Sequence, residues 1–93
     1  MGKFRVEITK SAHKDIEKHY KSGNKSTINK ISVILKELES HPRKGSGKPE
    51  QLKYELSGYW SRRINQKDRL VYKIEDEIVS VTVVSAMGHY SDK

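Results

Sequence analysis

The sequence contains no cysteine. That absence excludes disulfides, thiolate catalysis and cysteine-ligated zinc. No long apolar run is present, which excludes a membrane-spanning helix. There is also no apolar signal core at the start, so a cytoplasmic location is expected. Acidic residues are the scarcer charge, 12 Asp and Glu against 19 Lys and Arg, and the formal net charge is +7. An excess of that size favours polyanionic partners: nucleic acid, an anionic membrane surface or an acidic protein segment. Apolar residues are sparse as well, at 33 % of the chain. They must therefore line single faces of helices and strands. A chain of 93 residues suits one domain over 1–93, with a modest core.

The apolar residues that are present follow clear periods. Phe4, Val6 and Ile8 alternate with Arg5 and Glu7, which predicts a strand with one buried face over 3–9. Ser11 can cap a following helix, with Asp15 near its positive end, and Ala12, Ile16 and Tyr20 form one stripe. Gly23 stops that helix, and Asn24 or Ser26 starts the next. Ile28, Ile31, Leu35 and Leu38 continue with helical spacing to about Ser40, before Pro42. So short a break predicts an antiparallel helical pair. Residues 41–50 read as loop. The "GSGK" within them is not a phosphate-binding loop, because Pro42 stands where the first glycine belongs and Pro49 follows Lys48.

From Leu52 onward the period is two. Leu52, Tyr54 and Leu56 predict one strand, "SG" at 57–58 a turn, and "YWSRRIN" a second strand. "RLVYKIE" places Leu70, Tyr72 and Ile74 on one face and Arg69, Val71 and Lys73 on the other. "EDE" at 75–77 turns the chain, and "IVSVTVVSAM" is β-branched on both faces, as a central strand requires. There is no internal repeat. The order β-α-α-β-β-β-β predicts an α+β domain, with a helical hairpin on one face of a mainly antiparallel sheet of four to five strands.

If Leu70, Tyr72 and Ile74 face the helices, Arg69 and Lys73 point to the open face, and the hairpin can bring Arg62 or Arg63 there too. A sheet face lined with Arg and Lys suits phosphate binding. Glu50 is then conspicuous, since a pure phosphate grip has little use for a carboxylate. Glu50, Arg69, His89 and Tyr90 lie at strand starts and ends, which converge at the rims of an antiparallel sheet. Together they suit phosphodiester cleavage. A carboxylate can take the proton of a ribose 2′-hydroxyl, a cation can stabilise the phosphorane, and a histidine can protonate the leaving oxygen. Each alone is also an ordinary surface residue. His13, His19 and His41 are expected to be exposed, and His13 and His19, six apart, do not make a metal pair. No metal or other cofactor is expected.

"KPE-x-LK", "LSG-[FY]-WSRRI" and "RLVY" in fixed register, then a valine-rich strand and "HY", resemble the YoeB/Txe toxins of bacterial toxin–antitoxin systems, relatives of RelE. The similarity is ungapped over 47–74, extends to Tyr90, and is looser in the helical half. It implies a RelE-like, microbial-RNase-like fold. It also implies a metal-independent endoribonuclease that cuts mRNA in the ribosomal A site, where ribosomal RNA surrounds it, and that a YefM/Axe-type antitoxin neutralises. In this family the general base corresponds to Glu50, the phosphate-stabilising arginine to Arg69, the general acid to His89 and the adjacent tyrosine to Tyr90. Lys53 and Arg63 match basic positions expected to hold RNA, and Lys48, Arg62 and Lys73 complete that set. Ser91, Asp92 and Lys93 extend past the usual His-Tyr end. A non-catalytic ribosome blocker is the alternative reading, and a gyrase-directed toxin a third. A homodimer is compatible with the sequence; Tyr59 and Trp60 would be contacts if exposed, although packing on the sheet is their commoner role.

Overall fold

The computed structural model describes residues 3–88. The chain runs β1 (Arg5–Ile8), α1 (Lys10–Ser22), α2 (Lys25–Leu38), β2 (Glu50–Gln51), β3 (Tyr59–Arg63), β4 (Arg69–Glu75) and β5 (Ser80–Ser85). The strands form one sheet in the order β1-β5-β4-β3-β2. Hydrogen bonding from β2 through to β5 is antiparallel, as hairpin-connected strands require, and β1 joins β5 in parallel at the edge. The expected α+β architecture is therefore present, with one parallel pair.

Local chemistry sets the helix ends. Thr9, two residues before the expected Ser11, caps α1 through its hydroxyl, which accepts the Ala12 N–H at 3.1 Å. Gly23 ends α1 at φ +76°, in the left-handed region that favours glycine. Asn24 caps α2 by accepting the Thr27 N–H at 3.1 Å.

Ala12, Ile31, Ile34, Leu38, Leu70, Tyr72, Val81, Val83 and Ala86 form the core between the helices and one sheet face, and Val6, Ile8, Ile16, Trp60 and Ile74 pack around them. Trp60 thus has the packing role. The α1 stripe departs from expectation at its end. His19 is buried, at 5 % exposure, and Tyr20 is exposed. Both lie within a turn of Ile16, and His19 takes the inner place because the Ala86 carbonyl meets its ring at 2.7 Å.

A second departure follows β2. Leu52, Tyr54 and Leu56 do not continue a strand. Pairing ends where the Leu52 N–H bonds to Tyr59 O at 2.9 Å, and Tyr54–Leu56 is a 3₁₀ turn that returns the chain to β3. Leu52 stays buried while Tyr54 is exposed with φ +57°. In β5, Val71 pairs with Ser85 and Tyr72 with Val83, so Val84 is the extra residue of a β-bulge.

Candidate active site on the open sheet face

Residues opposite one another in a sheet project to the same face. The register pairs Glu50 with Ser61, Ser61 with Val71, Arg63 with Arg69, and Tyr59 with Lys73. These positions share the face away from the helices. Leu70, Tyr72 and Ile74 take the helix face, as expected.

Arg69 lies across β3. Its Nη1 is 3.1 Å from Glu50 Oε1 and 3.4 Å from Ser61 Oγ. Ser61 is fully buried beneath this contact. The Glu50 side chain is well exposed, at 61 %, and that of Arg69 less so, at 25 %. The Arg69 N–H donates to Gly88 O at 2.8 Å, so the last described residue sits against the backbone of the site arginine. His89 and Tyr90 lie outside the described residues, as do Ser91, Asp92 and Lys93.

Cations surround the pair. Arg63 is exposed beside Arg69, and Lys73 Nζ sits 6.0 Å from the Tyr59 ring centre. Lys48 and Lys53, on either side of β2, are exposed as well. Among the described residues, the ion pairs of this group are Arg69–Glu50 and a long Lys73–Glu75 contact of 4.0 Å. The face therefore keeps an excess of positive charge around one carboxylate. A carboxylate is an acceptor only and a guanidinium a fork of donors. Side by side and open to solvent, they can take up a proton and hold an anion in the same place.

Arg62 does not belong to this face. It pairs with Leu70, its side chain points to the core, and it is fully buried. It cannot reach RNA. Its Nη1 donates to Glu37 Oε1 at 2.7 Å and to Ser46 O at 3.3 Å. Its Nη2 bonds to the carbonyls of His41 at 2.6 Å and Lys44 at 2.7 Å, and Nε to the Tyr72 hydroxyl at 3.1 Å. The Tyr72 hydroxyl in turn donates to Pro42 O at 2.7 Å. One buried guanidinium thus fastens the loop between α2 and β2, which leads to Lys48 and Glu50. Burial would raise the Glu37 carboxyl pKa, but the Ser46 N–H and hydroxyl and the Arg62 guanidinium outweigh it and hold it below its ordinary value. Burial also pushes the Tyr72 phenol up, against the lowering effect of Arg62.

Adjacent arginines in a strand must point opposite ways. Which one faces in depends on the β3–β4 register, and the shared parity of Arg62 with Trp60 and Ile64, both packed into the core, pointed to it. Ser61 and Glu37 carried no signal of their own.

A family model described as "YoeB-like toxin of bacterial type II toxin-antitoxin system" matches residues 8–90. A Synechocystis protein named Toxin YoeB is 42 % identical over 71 residues, 76 % of this chain and 80 % of the relative. Among solved structures, a YoeB/ParE toxin from Agrobacterium tumefaciens superimposes with a TM-score of 0.82 at 31 % identity, covering 94 % of this chain and 100 % of the other. A Staphylococcus aureus YoeB, solved as a dimer, gives 0.77 at 35 % identity, covering 95 % and 99 %. The YoeB–YefM complex from the same organism gives 0.75 at 36 % identity, covering 94 % and 98 %.

Proposed function

The chain belongs to the YoeB-like toxins of bacterial type II toxin–antitoxin systems, and we propose that it is an endoribonuclease that cuts mRNA in the ribosomal A site without a metal ion. The observation that carries this reading is the Glu50–Arg69 pair, 3.1 Å apart on an open, cationic sheet face. Arg63, Lys73, Lys48 and Lys53 hold the RNA backbone and draw the domain to ribosomal RNA. Glu50 accepts the proton of the 2′-hydroxyl as the 2′-oxygen attacks the adjacent phosphorus. Arg69 stabilises the charge on the phosphorane. The bond to the 5′-oxygen breaks, and His89, with Tyr90 beside it, supplies the proton that oxygen needs. The products are a 2′,3′-cyclic phosphate, which water can open to a 3′-phosphate, and a 5′-hydroxyl. An acid or base group of this kind contributes about 10²–10⁴-fold, and a preorganised cation roughly 10²–10³-fold.

Its partners on this reading are a YefM-type antitoxin, as in the S. aureus complex, and a second copy of itself, as in the S. aureus dimer. The antitoxin would lay an acidic segment with apolar anchors on the cationic face. The test is single-turnover incubation with programmed ribosomes, followed by mapping of the mRNA ends. Discrete cuts with 2′,3′-cyclic or 3′-phosphate ends, lost in Glu50→Ala and Arg69→Ala, are expected. Intact message under arrested translation would replace the nuclease with a non-catalytic blocker.

A further inference from the structure

Side chains that the reaction above does not use hold the segment leading to His89. Ala86 is fully buried just beyond β5, past the ladder that would satisfy its backbone. Its N–H donates to Asp15 Oδ2 at 3.0 Å, and its carbonyl meets His19 Nε2 at 2.7 Å. Two residues on, the Gly88 N–H donates to Asp68 Oδ1 at 2.8 Å, and the Gly88 carbonyl accepts the Arg69 N–H at 2.8 Å. Both polar backbone groups of both residues are thus tied, from α1 on one side and from the β3–β4 turn and the start of β4 on the other.

The ties are themselves fixed. Asp15 and His19 are four apart on α1, so one helix face presents both to one residue. A carbonyl oxygen only accepts, so His19 carries a proton on Nε2 in this bond. Asp68 is 7 % exposed, and its second oxygen takes a bond from Asn65 Nδ2 at 3.1 Å. Asn65 Oδ1 in turn accepts the N–H groups of Lys67 and Asp68 at 2.9 and 2.7 Å. Gly88 sits at φ +72° at the end of this clamp.

We propose that Asp15, His19 and Asp68 are positioning residues, which fix residues 86–88 so that the next residue, His89, is delivered to the Glu50–Arg69 pair. The proposal rests on the reading of His89 as the general acid. Its physical basis is that misplacing a reacting group by about 1 Å costs roughly 10²-fold. A short segment at the end of a strand keeps such accuracy only if its backbone is held on both sides. The sequence pattern offers Asp15 and His19 only helix-end and surface roles and does not mark Asp68, because all three act through the backbone of residues 86 and 88.

The test is a double-mutant comparison by single-turnover cleavage on programmed ribosomes. His19→Ala is expected to slow cleavage by about 10–100-fold with an unchanged half-saturating toxin concentration. His19→Gln, whose amide N–H can reach the Ala86 carbonyl, is expected to recover most of that loss. In a His89→Ala background, His19→Ala should cost less than about twofold, because residues that act through one another are not additive. A wild-type rate for His19→Ala, or an equal loss with and without His89, would overturn the proposal. If His19→Ala melts below the assay temperature, Asp15→Ala carries the same comparison with the same two outcomes. Amide hydrogen exchange separates this proposal from the nuclease reading. If the wild-type protein does not cut RNA, faster exchange at Ala86 and Gly88 in His19→Ala still supports the clamp, and unchanged exchange overturns it.

Discussion

Arg69 crosses β3 to reach Glu50, 3.1 Å away, although β4 and β2 are not neighbours in the sheet. The pair lies at the surface, where ion pairs contribute about 0–1 kcal/mol to stability. Glu50→Ala and Arg69→Ala should therefore melt within a few degrees of wild type, while cleavage falls by at least about 10²-fold. Matched thermal melts and single-turnover rates check this. A melting loss that accounts for the lost activity would make the pair structural.

The neighbouring arginine should behave in the opposite way. Arg62→Met takes the guanidinium away from three loop carbonyls and from the Glu37 carboxylate, which keeps its two Ser46 donors, and breaking a buried pair from one side costs about 3–5 kcal/mol. Arg62→Lys should recover little, since one ammonium cannot replace the planar fork that meets five partners. Urea unfolding midpoints read both variants, and a midpoint within error of wild type would rule out the anchoring role.

Arg63, exposed on the other face, should leave stability unchanged. Arg63→Ala is expected to weaken single-stranded RNA binding and to lower the slope of log K against log salt by about 0.7 if it neutralises one phosphate. A salt titration of RNA affinity measures this directly. An unchanged slope would remove Arg63 from the RNA contact.

Gly47 sits where two chains touch. Its φ is +81°, its carbonyl accepts the Arg63 N–H at 2.7 Å, and a Cβ there would fall 2.8 Å from Arg63 O. Gly47→Ala adds left-handed strain of about 1 kcal/mol or more to that backbone clash. The expected outcome is a melting point lowered by several degrees, together with weaker activity, because this loop leads to Glu50. Gly23 has the same hand but open space around it, so Gly23→Ala should show the strain alone.

Acid should unfold the domain through two carboxylates. Glu37 is held below its ordinary value as described above. At Asp68, burial pushes upward, but the Gly88 N–H, Asn65 and the charges of His19 and Lys67 outweigh it, and the net shift is also downward. A lowered folded pKa contributes stability that is present above the unfolded pKa of about 4 and is lost as pH falls through the folded value. Thermal midpoints from neutral pH down to about pH 3 should therefore drop most steeply below about pH 4. Glu37→Gln should start lower and fall less over the same range, and an equal fall in both proteins would discount Glu37.

Much of the fold was legible because period and punctuation are local. Val6 and Ile8, the Gly23 and Asn24 helix signals, and Leu70, Tyr72 and Ile74 each declare a face or an end within a few residues. The strand expected at Leu52 through Leu56 failed because its alternation is real but the chain itself leaves the sheet after Leu52, where Tyr54–Leu56 forms the 3₁₀ turn into β3. Helical spacing does not separate Tyr20 from His19 on the rim of the α1 stripe, and the hydrogen bond to the Ala86 carbonyl does.

The sequence by itself determined the α+β class, the cationic character of the chain and the motifs that place it among these toxins, all of which depend on composition, short-range period and fixed spacing. Only the tertiary structure decided that Arg63 looks outward and Arg62 inward, that Arg69 spans a strand to meet Glu50, and that Asp15, His19 and Asp68 grip residues 86 and 88. Each of those depends on strand register and on contacts across tens of residues, which a one-dimensional pattern does not encode.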